Sequence, residues 1–207
     1  MTKNFGYYVI LILCIGILLS LACERHTSQN ALQIVSINQG RDLNVDIADW
    51  ARLPDPEDPE DTILVALMHD YAIPVQVRYV EVGLGLPTYP TPYTARITDY
   101  KVTFRHQSKP QWTFTAVNGA TNMVIPADPN GRSSVTNNLT VIPGVWLRSN
   151  FNDSLEGREP NTLWCGVLKA TLILSGYEEL TQEPITDTAY FSINISDSYD
   201  DPTRVDN

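Results

Sequence analysis

Tyr100-Lys101-Val102-Thr103-Phe104-Arg105 alternates apolar and polar side chains without a break. Successive side chains of a strand point to opposite faces, so Tyr100, Val102 and Phe104 make a dry face and Lys101, Thr103 and Arg105 a wet one. The same two-residue period returns on both sides. Toward higher numbers Trp112, Phe114 and Ala116 repeat it, and strands resume over residues 139–147. Leu168, Ala170, Leu172 and Leu174 then alternate with Lys169 and Thr171 until Gly176 closes the run. Ala189, Phe191, Ile193 and Ile195 oppose Tyr190, Ser192 and Asn194. Toward lower numbers Val75 and Val77 alternate with Gln76 and Arg78 before Tyr79, Val80 and Val82 blur the phase, which predicts a bulge or a strand that changes sheets. Residues 32–37 and 44–49 read as further strands, the second with Val45 and Ile47 on one face. Residues 62–68 form a continuous apolar run, as expected of a strand covered on both sides.

Turn formers separate these runs. Residues 52–61, Arg-Leu-Pro-Asp-Pro-Glu-Asp-Pro-Glu-Asp, carry three prolines and five acids. They read as a stiff acidic loop, because proline lacks a ladder donor and the acids stay solvated. Residues 83–94 form a Pro/Gly/Tyr loop, residues 127–132 a strong turn and residues 148–162 a polar loop. No ten-residue stretch has convincing helical periodicity, and no repeat of fixed period occurs. About eight or nine short strands with this many turns predict an all-β fold, an antiparallel two-sheet sandwich of immunoglobulin-like architecture. The Cys…Trp…Cys signature of true antibody domains is missing, so that name describes architecture only.

The 207 residues begin Met-Thr-Lys-Asn, and residues 5–22 are apolar and uncharged. A basic start, an apolar core and a small residue before a cysteine form an export signal. Leu19-Ser20-Leu21-Ala22-Cys23 resembles the bacterial lipobox, with Ser20 where leucine is usual. That resemblance implies cleavage before Cys23, a diacylglycerol on its sulfur and a further acyl chain such as palmitate on its amine; two chains anchor stably where one does not. Ordinary secretion and an uncleaved anchor are the alternatives, since eighteen apolar residues approach the roughly 20 that span a bilayer. Glu24 after the cysteine implies an outer-membrane address in a Gram-negative source. The expected organisation is a signal at 1–22, a lipidated tether at 23–31, a β-sandwich at 32–197 and an acidic tail at 198–207.

Composition excludes one large class of partner. Removing residues 1–22 takes away one Lys and no acid, so 13 Lys and Arg face 24 Asp and Glu, a formal charge of −11. Such a chain repels nucleic acid and anionic headgroups. Cys14 lies in the signal and Cys23 is the lipidation residue, which leaves Cys165 as a thiol among apolar neighbours, expected to act as a small buried hydrophobe.

Candidate sites are few. His26, His69 and His106 show no metal spacing, and no nucleophile motif or phosphate loop occurs; Gly83-Leu84-Gly85-Leu86-Pro87 runs into proline. The acidic cluster containing Asp58 and Asp61, and the cluster of Asp197, Asp200 and Asp201, offer the hard oxygens that calcium requires. Neither has the EF-hand spacing, and solvated charge is the plainer reading. Tyr89 and Tyr93, in a proline-stiffened loop, could stack on a sugar or contact a protein, or fold back and cap the sandwich. Ile97-Thr98-Asp99-Tyr100-Lys101-Val102-Thr103-Phe104, and Tyr190-Phe191-Ser192-Ile193-Asn194-Ile195-Ser196-Asp197 through Asp201-Pro202, resemble a type of exported protein of unknown role; the resemblance implies no activity. The expected function is a non-catalytic, lipid-anchored envelope protein that binds or scaffolds another envelope component, without a cofactor. Two alternatives stay open: a carbohydrate- or calcium-dependent module working with an exported enzyme, and a hydrolase with an unrecognised site.

Overall fold

The computed structural model describes residues 30–47, 49–58, 60–81, 93–126, 128, 132–151 and 165–197. Ten strands and one short helix occur in them: β1 (Asn30–Ile37), β2 (Leu43–Asp46), β3 (Asp49–Pro54), β4 (Thr62–Leu67), β5 (Tyr71–Glu81), β6 (Ala95–His106), β7 (Val117–Ile125), β8 (Ser134–Ile142), α1 (Gly144–Phe151), β9 (Gly166–Glu178) and β10 (Pro184–Ser196). None of the described helices is long and apolar enough to cross a membrane. The chain is mostly β, as the alternation requires.

The strands form a three-stranded sheet β1-β5-β8, a five-stranded sheet β2-β10-β9-β6-β7 and a separate ribbon β3-β4. One expectation is corrected here. β2 runs parallel to β10, Leu43–Asp46 against Ile193–Ser196, so the larger sheet is mixed, and it curls into a half-barrel rather than a flat antiparallel layer. The parallel pair arises because the chain leaves β1 through left-handed backbone at Asn38, Gln39 and Gly40, with φ of 47°, 55° and 76°. That tight turn delivers β2 to the other sheet.

One core joins the two larger sheets. Ile73, Val75, Val77 and Tyr79 of β5 bury against Ile97, Val102, Leu168, Leu172, Leu174 and Ile193 of the larger sheet. Three tyrosine hydroxyls cross between them. Tyr71 (β5) donates to the Asp46 carbonyl at 2.9 Å, Tyr100 (β6) to the Thr140 carbonyl at 2.9 Å and Tyr79 (β5) to Glu178 Oε1 at 3.3 Å. A hydroxyl that bonds at its tip lets a large ring lie in an apolar layer without a desolvation cost.

Several local expectations change. The strand over residues 139–147 stops at Ile142, because Pro143 turns the chain and its carbonyl accepts the N–H groups of Trp146 and Leu147. Residues 144–151 are helical instead. Trp146, Leu147 and Phe151 then bury together, and Trp146 stacks with Phe104, Phe114 and Phe151 at ring-centroid distances of 4.6, 5.8 and 6.0 Å. Residues 112–116 make only one bridge, Arg105–Thr113, since Phe114 is drawn onto Trp146 rather than into a ladder. Residues 62–68 are not covered on both sides: Ile63 and Leu67 are 38% and 36% exposed, and among the described residues β4 pairs with β3 alone. Arg52, Leu53 and Pro54 belong to β3 and not to the acidic loop; proline is tolerated on a ribbon with a free edge. β5 shows no bulge at Tyr79 or Val80; the irregularity lies opposite, in β1, between Ile34 and Ser36.

Candidate binding cleft

The half-barrel has an open seam. β10 pairs with β9 from Pro184 to Ile195, whereas β2 covers its other edge only from Ile193 to Ser196. Among the described residues β1 pairs with β5 on one edge and has no ladder on the other. A cleft of about 440 Å³ lies where these edges face each other, bordered by Ile34–Ile37 of β1, Ala189–Ser192 of β10, and Gly40, Arg41 and Asp42 of the turn between β1 and β2.

Main-chain direction along β10 follows from one bond. Ile47 N–H donates to the Ser196 carbonyl at 3.0 Å, so Ser196 faces the β2 side. Since strand groups alternate sides every residue, Asn194, Ser192, Tyr190 and Thr188 also direct their N–H and C=O toward that side. At Thr188 a substitute is already in place. Asp187 Oδ1 accepts the Thr188 N–H at 2.8 Å, and its Oδ2 accepts the Ile34 N–H of β1 at 2.7 Å. One carboxylate therefore joins the two facing edges and pins them together at that end of the seam.

Two of the side chains that border the cleft stay in water. Val35, the extra residue of the β1 bulge, is 47% exposed and Tyr190 is 79% exposed. Bulges re-aim side chains at sheet edges, and this one turns Val35 into the cleft. The spacing of Leu32, Ile34 and Ile37, two residues and then three, carries that bulge in the sequence. Tyr190 was legible only as a residue on the wet face.

The other candidates are placed as follows. Cys23, Tyr89, Asp200 and Asp201 lie outside the described residues. Tyr93 is half-buried just before β6. Asp58 and Asp61 are exposed and serve the turn itself: Asp58 Oδ1 accepts the Glu60 N–H at 3.2 Å and Asp61 Oδ1 the Thr62 N–H at 2.7 Å. Asp197 is on a separate part of the fold, beside Cys165. Among the described residues no three His, Cys, Asp or Glu side chains stand together to hold a metal ion.

Burial pushes the Cys165 thiol above its ordinary value; a backbone hydrogen bond with Asp197 opposes this, while the charges of Asp197 and Asp46 add to it. Its thiolate is disfavoured. His69 Nε2 meets Asp49 Oδ2 at 2.9 Å on the surface. His106 is 3% exposed and its Nδ1 accepts the N–H groups of Ser108 and Lys109 at 3.2 and 3.1 Å, so in the neutral ring the proton sits on Nε2. That atom is buried without a hydrogen-bond partner among the described residues, and it faces Gly166.

Compared with known proteins, the chain matches no protein-family model, and no curated protein is significantly similar to it.

Proposed function

We propose that this chain is an exported, lipid-anchored, non-catalytic binding protein of the cell envelope, and that its partner docks in the cleft between β1 and β10. The observation that carries the binding role is the cleft itself, where two strand edges and the side chains of Val35 and Tyr190 stay open to water. A strand edge open to water is a template on which another extended chain can pair. The anchor rests on Leu19-Ser20-Leu21-Ala22-Cys23 and on the polar tether after it. Architecturally, two facing sheets around one core support an immunoglobulin-like description, opened here along one seam.

Two measurements test the reading. Metabolic labelling with an alkyne palmitate analogue should mark the wild type and not Cys23→Ala; label that persists in the variant refutes the anchor. A photocrosslinking phenylalanine placed at Tyr190 should trap a discrete partner in intact cells, and the same group at exposed Arg105, on the five-stranded sheet, should not. Equal patterns at the two positions would remove the cleft from consideration.

A further inference from the structure

We infer that the cleft takes its partner by strand addition: an extended, basic segment of another polypeptide pairs its main chain with the free edge of β10 at Tyr190 and Ser192. This rests on the reading of the cleft as the binding site and names the chemistry of what fills it.

Part of the β10 edge has no strand partner among the described residues. A strand edge with free N–H and C=O groups is a template for another extended chain. Here β10 offers such an edge, and its two ends show how it is satisfied. At one end β2 occupies it, in parallel register from Ile193 to Ser196. At the other the Asp187 carboxylate takes the N–H groups of Thr188 and Ile34. Between them Tyr190 and Ser192 face the cleft with neither among the described residues. An incoming strand therefore continues the β2–β10 ladder and is stopped at Asp187.

Length and side chains follow from the walls. Four residues on each side, Ile34–Ile37 and Ala189–Ser192, border the cleft, which accommodates an extended segment of about four residues, roughly 13 Å. The model for it inside this chain is β2, Leu43-Asn44-Val45-Asp46, which alternates apolar and polar residues and buries Val45. The incoming segment has the same alternation, with small or β-branched residues toward Ile37 and Phe191. Charge selects its flanks. At the cleft border the exposed Arg41 and Asp42 balance each other, but the chain without residues 1–22 carries a formal net charge of −11. Long-range attraction thus favours a segment flanked by Lys or Arg.

The probe is a phage-displayed random dodecapeptide library selected on the full chain without residues 1–22, followed by synthesis of the enriched peptides with a fluorescent label. Enriched peptides should be basic and alternating, and should protect the amides of Tyr190 and Ser192 from hydrogen exchange at least about tenfold. N-methylation of alternate peptide bonds removes main-chain donors without altering a side chain, and should weaken binding by at least about tenfold. So should Tyr190→Pro, which deletes an edge N–H while leaving the β9 ladder intact; an unchanged near-ultraviolet circular dichroism spectrum shows that this variant is folded. Val35→Ala serves as a milder second variant.

The outcomes separate cleanly. Peptides that protect the cleft but tolerate N-methylation overturn strand addition and leave the binding cleft standing. Peptides that bind elsewhere, or an enrichment no greater than on the Tyr190→Pro protein, overturn both. A dimer in sedimentation that Tyr190→Pro dissociates assigns the edge to a second copy of this chain and overturns the foreign segment.

Discussion

Gly176 shows how little room the five-stranded sheet leaves. A Cβ built there would collide with the Arg96 carbonyl oxygen and lie 2.7 Å from Ile97 Cα, beside the register shift of β6 between Ile97 and Asp99. Backbone atoms cannot move aside as a side-chain tip can. Gly176→Ala is therefore expected to destabilise by roughly 3 kcal/mol through overpacking, read as a lowered urea midpoint at unchanged slope; a loss below about 1 kcal/mol would show that β6 gives way. Gly119 repeats the device with a ring in place of a backbone, since its missing Cβ is where Tyr100 lies. Cys165 gives a second expectation at this scale. Its thiol is held above its ordinary value chiefly by burial, and only the thiolate attacks an alkylating agent. In a Cys14→Ala/Cys23→Ala background, iodoacetamide at pH 8 should modify the folded chain at least about tenfold more slowly than the urea-unfolded chain. The structure leaves Cys165 half-buried rather than fully buried as its apolar neighbours suggested, and comparable rates would refute even that shielding.

The β3–β4 ribbon differs from every other pair of strands. Among the described residues each of its strands pairs only with the other, and a two-stranded ribbon is marginal by itself. Its base is tied by the His69–Asp49 contact at 2.9 Å, a surface pair worth no more than about 1 kcal/mol. The Asp70 carboxylate just beyond accepts the Gly144 N–H at 2.7 Å and links the ribbon's exit to α1. Amides of β3 and β4 are therefore expected to exchange at least about 100-fold faster than those of β6 and β9, because local opening costs less than global unfolding; equal protection by hydrogen-exchange mass spectrometry would show that the ribbon belongs to the core. This scale is also where the sequence was most legible. Alternation located β6, β9 and β10, since Val102, Leu168, Leu172, Leu174 and Ile193 bury as their phase demands. It failed where a tertiary neighbour decided. Phe114 left its strand for Trp146, and the eight residues of α1 are too few for a helical period to declare itself. The apolar run of β4 was read as covered because composition cannot report that Ile63 and Leu67 stay partly in water.

Across the molecule, the phenols that join the two larger sheets also set its alkaline limit. Burial is the largest cause that raises both Tyr71 and Tyr100 above the ordinary 10.0, against the lowering effect of their backbone hydrogen bonds. Below pH 10 both are protonated whether the chain is folded or not, and their contribution is complete. As pH rises from 10 through the raised native values the unfolded chain loses its protons first, so stability falls. The midpoint of thermal unfolding should drop between about pH 10 and 12, and a Tyr71→Phe/Tyr100→Phe variant should show a shallower drop; parallel curves would overturn the assignment. The candidate cleft was less legible than the strands. Val35, Asp187 and Tyr190 are about 150 residues apart in part and meet only through the topology, and no motif spans them. The bulge spacing in β1 was the one trace. The parallel pairing of β2 has a last consequence, for the order in which the chain is made. Asn44 and its partner Asn194 are 150 residues apart, so a chain emerging from its amino end carries β2 unpaired until residues 193–196 arrive. Contacts of such separation form slowly, and unpaired edges invite association while they wait. On the export proposed above, the chain would stay pliable for nearly its whole passage through a membrane pore and acquire its larger sheet on the far side.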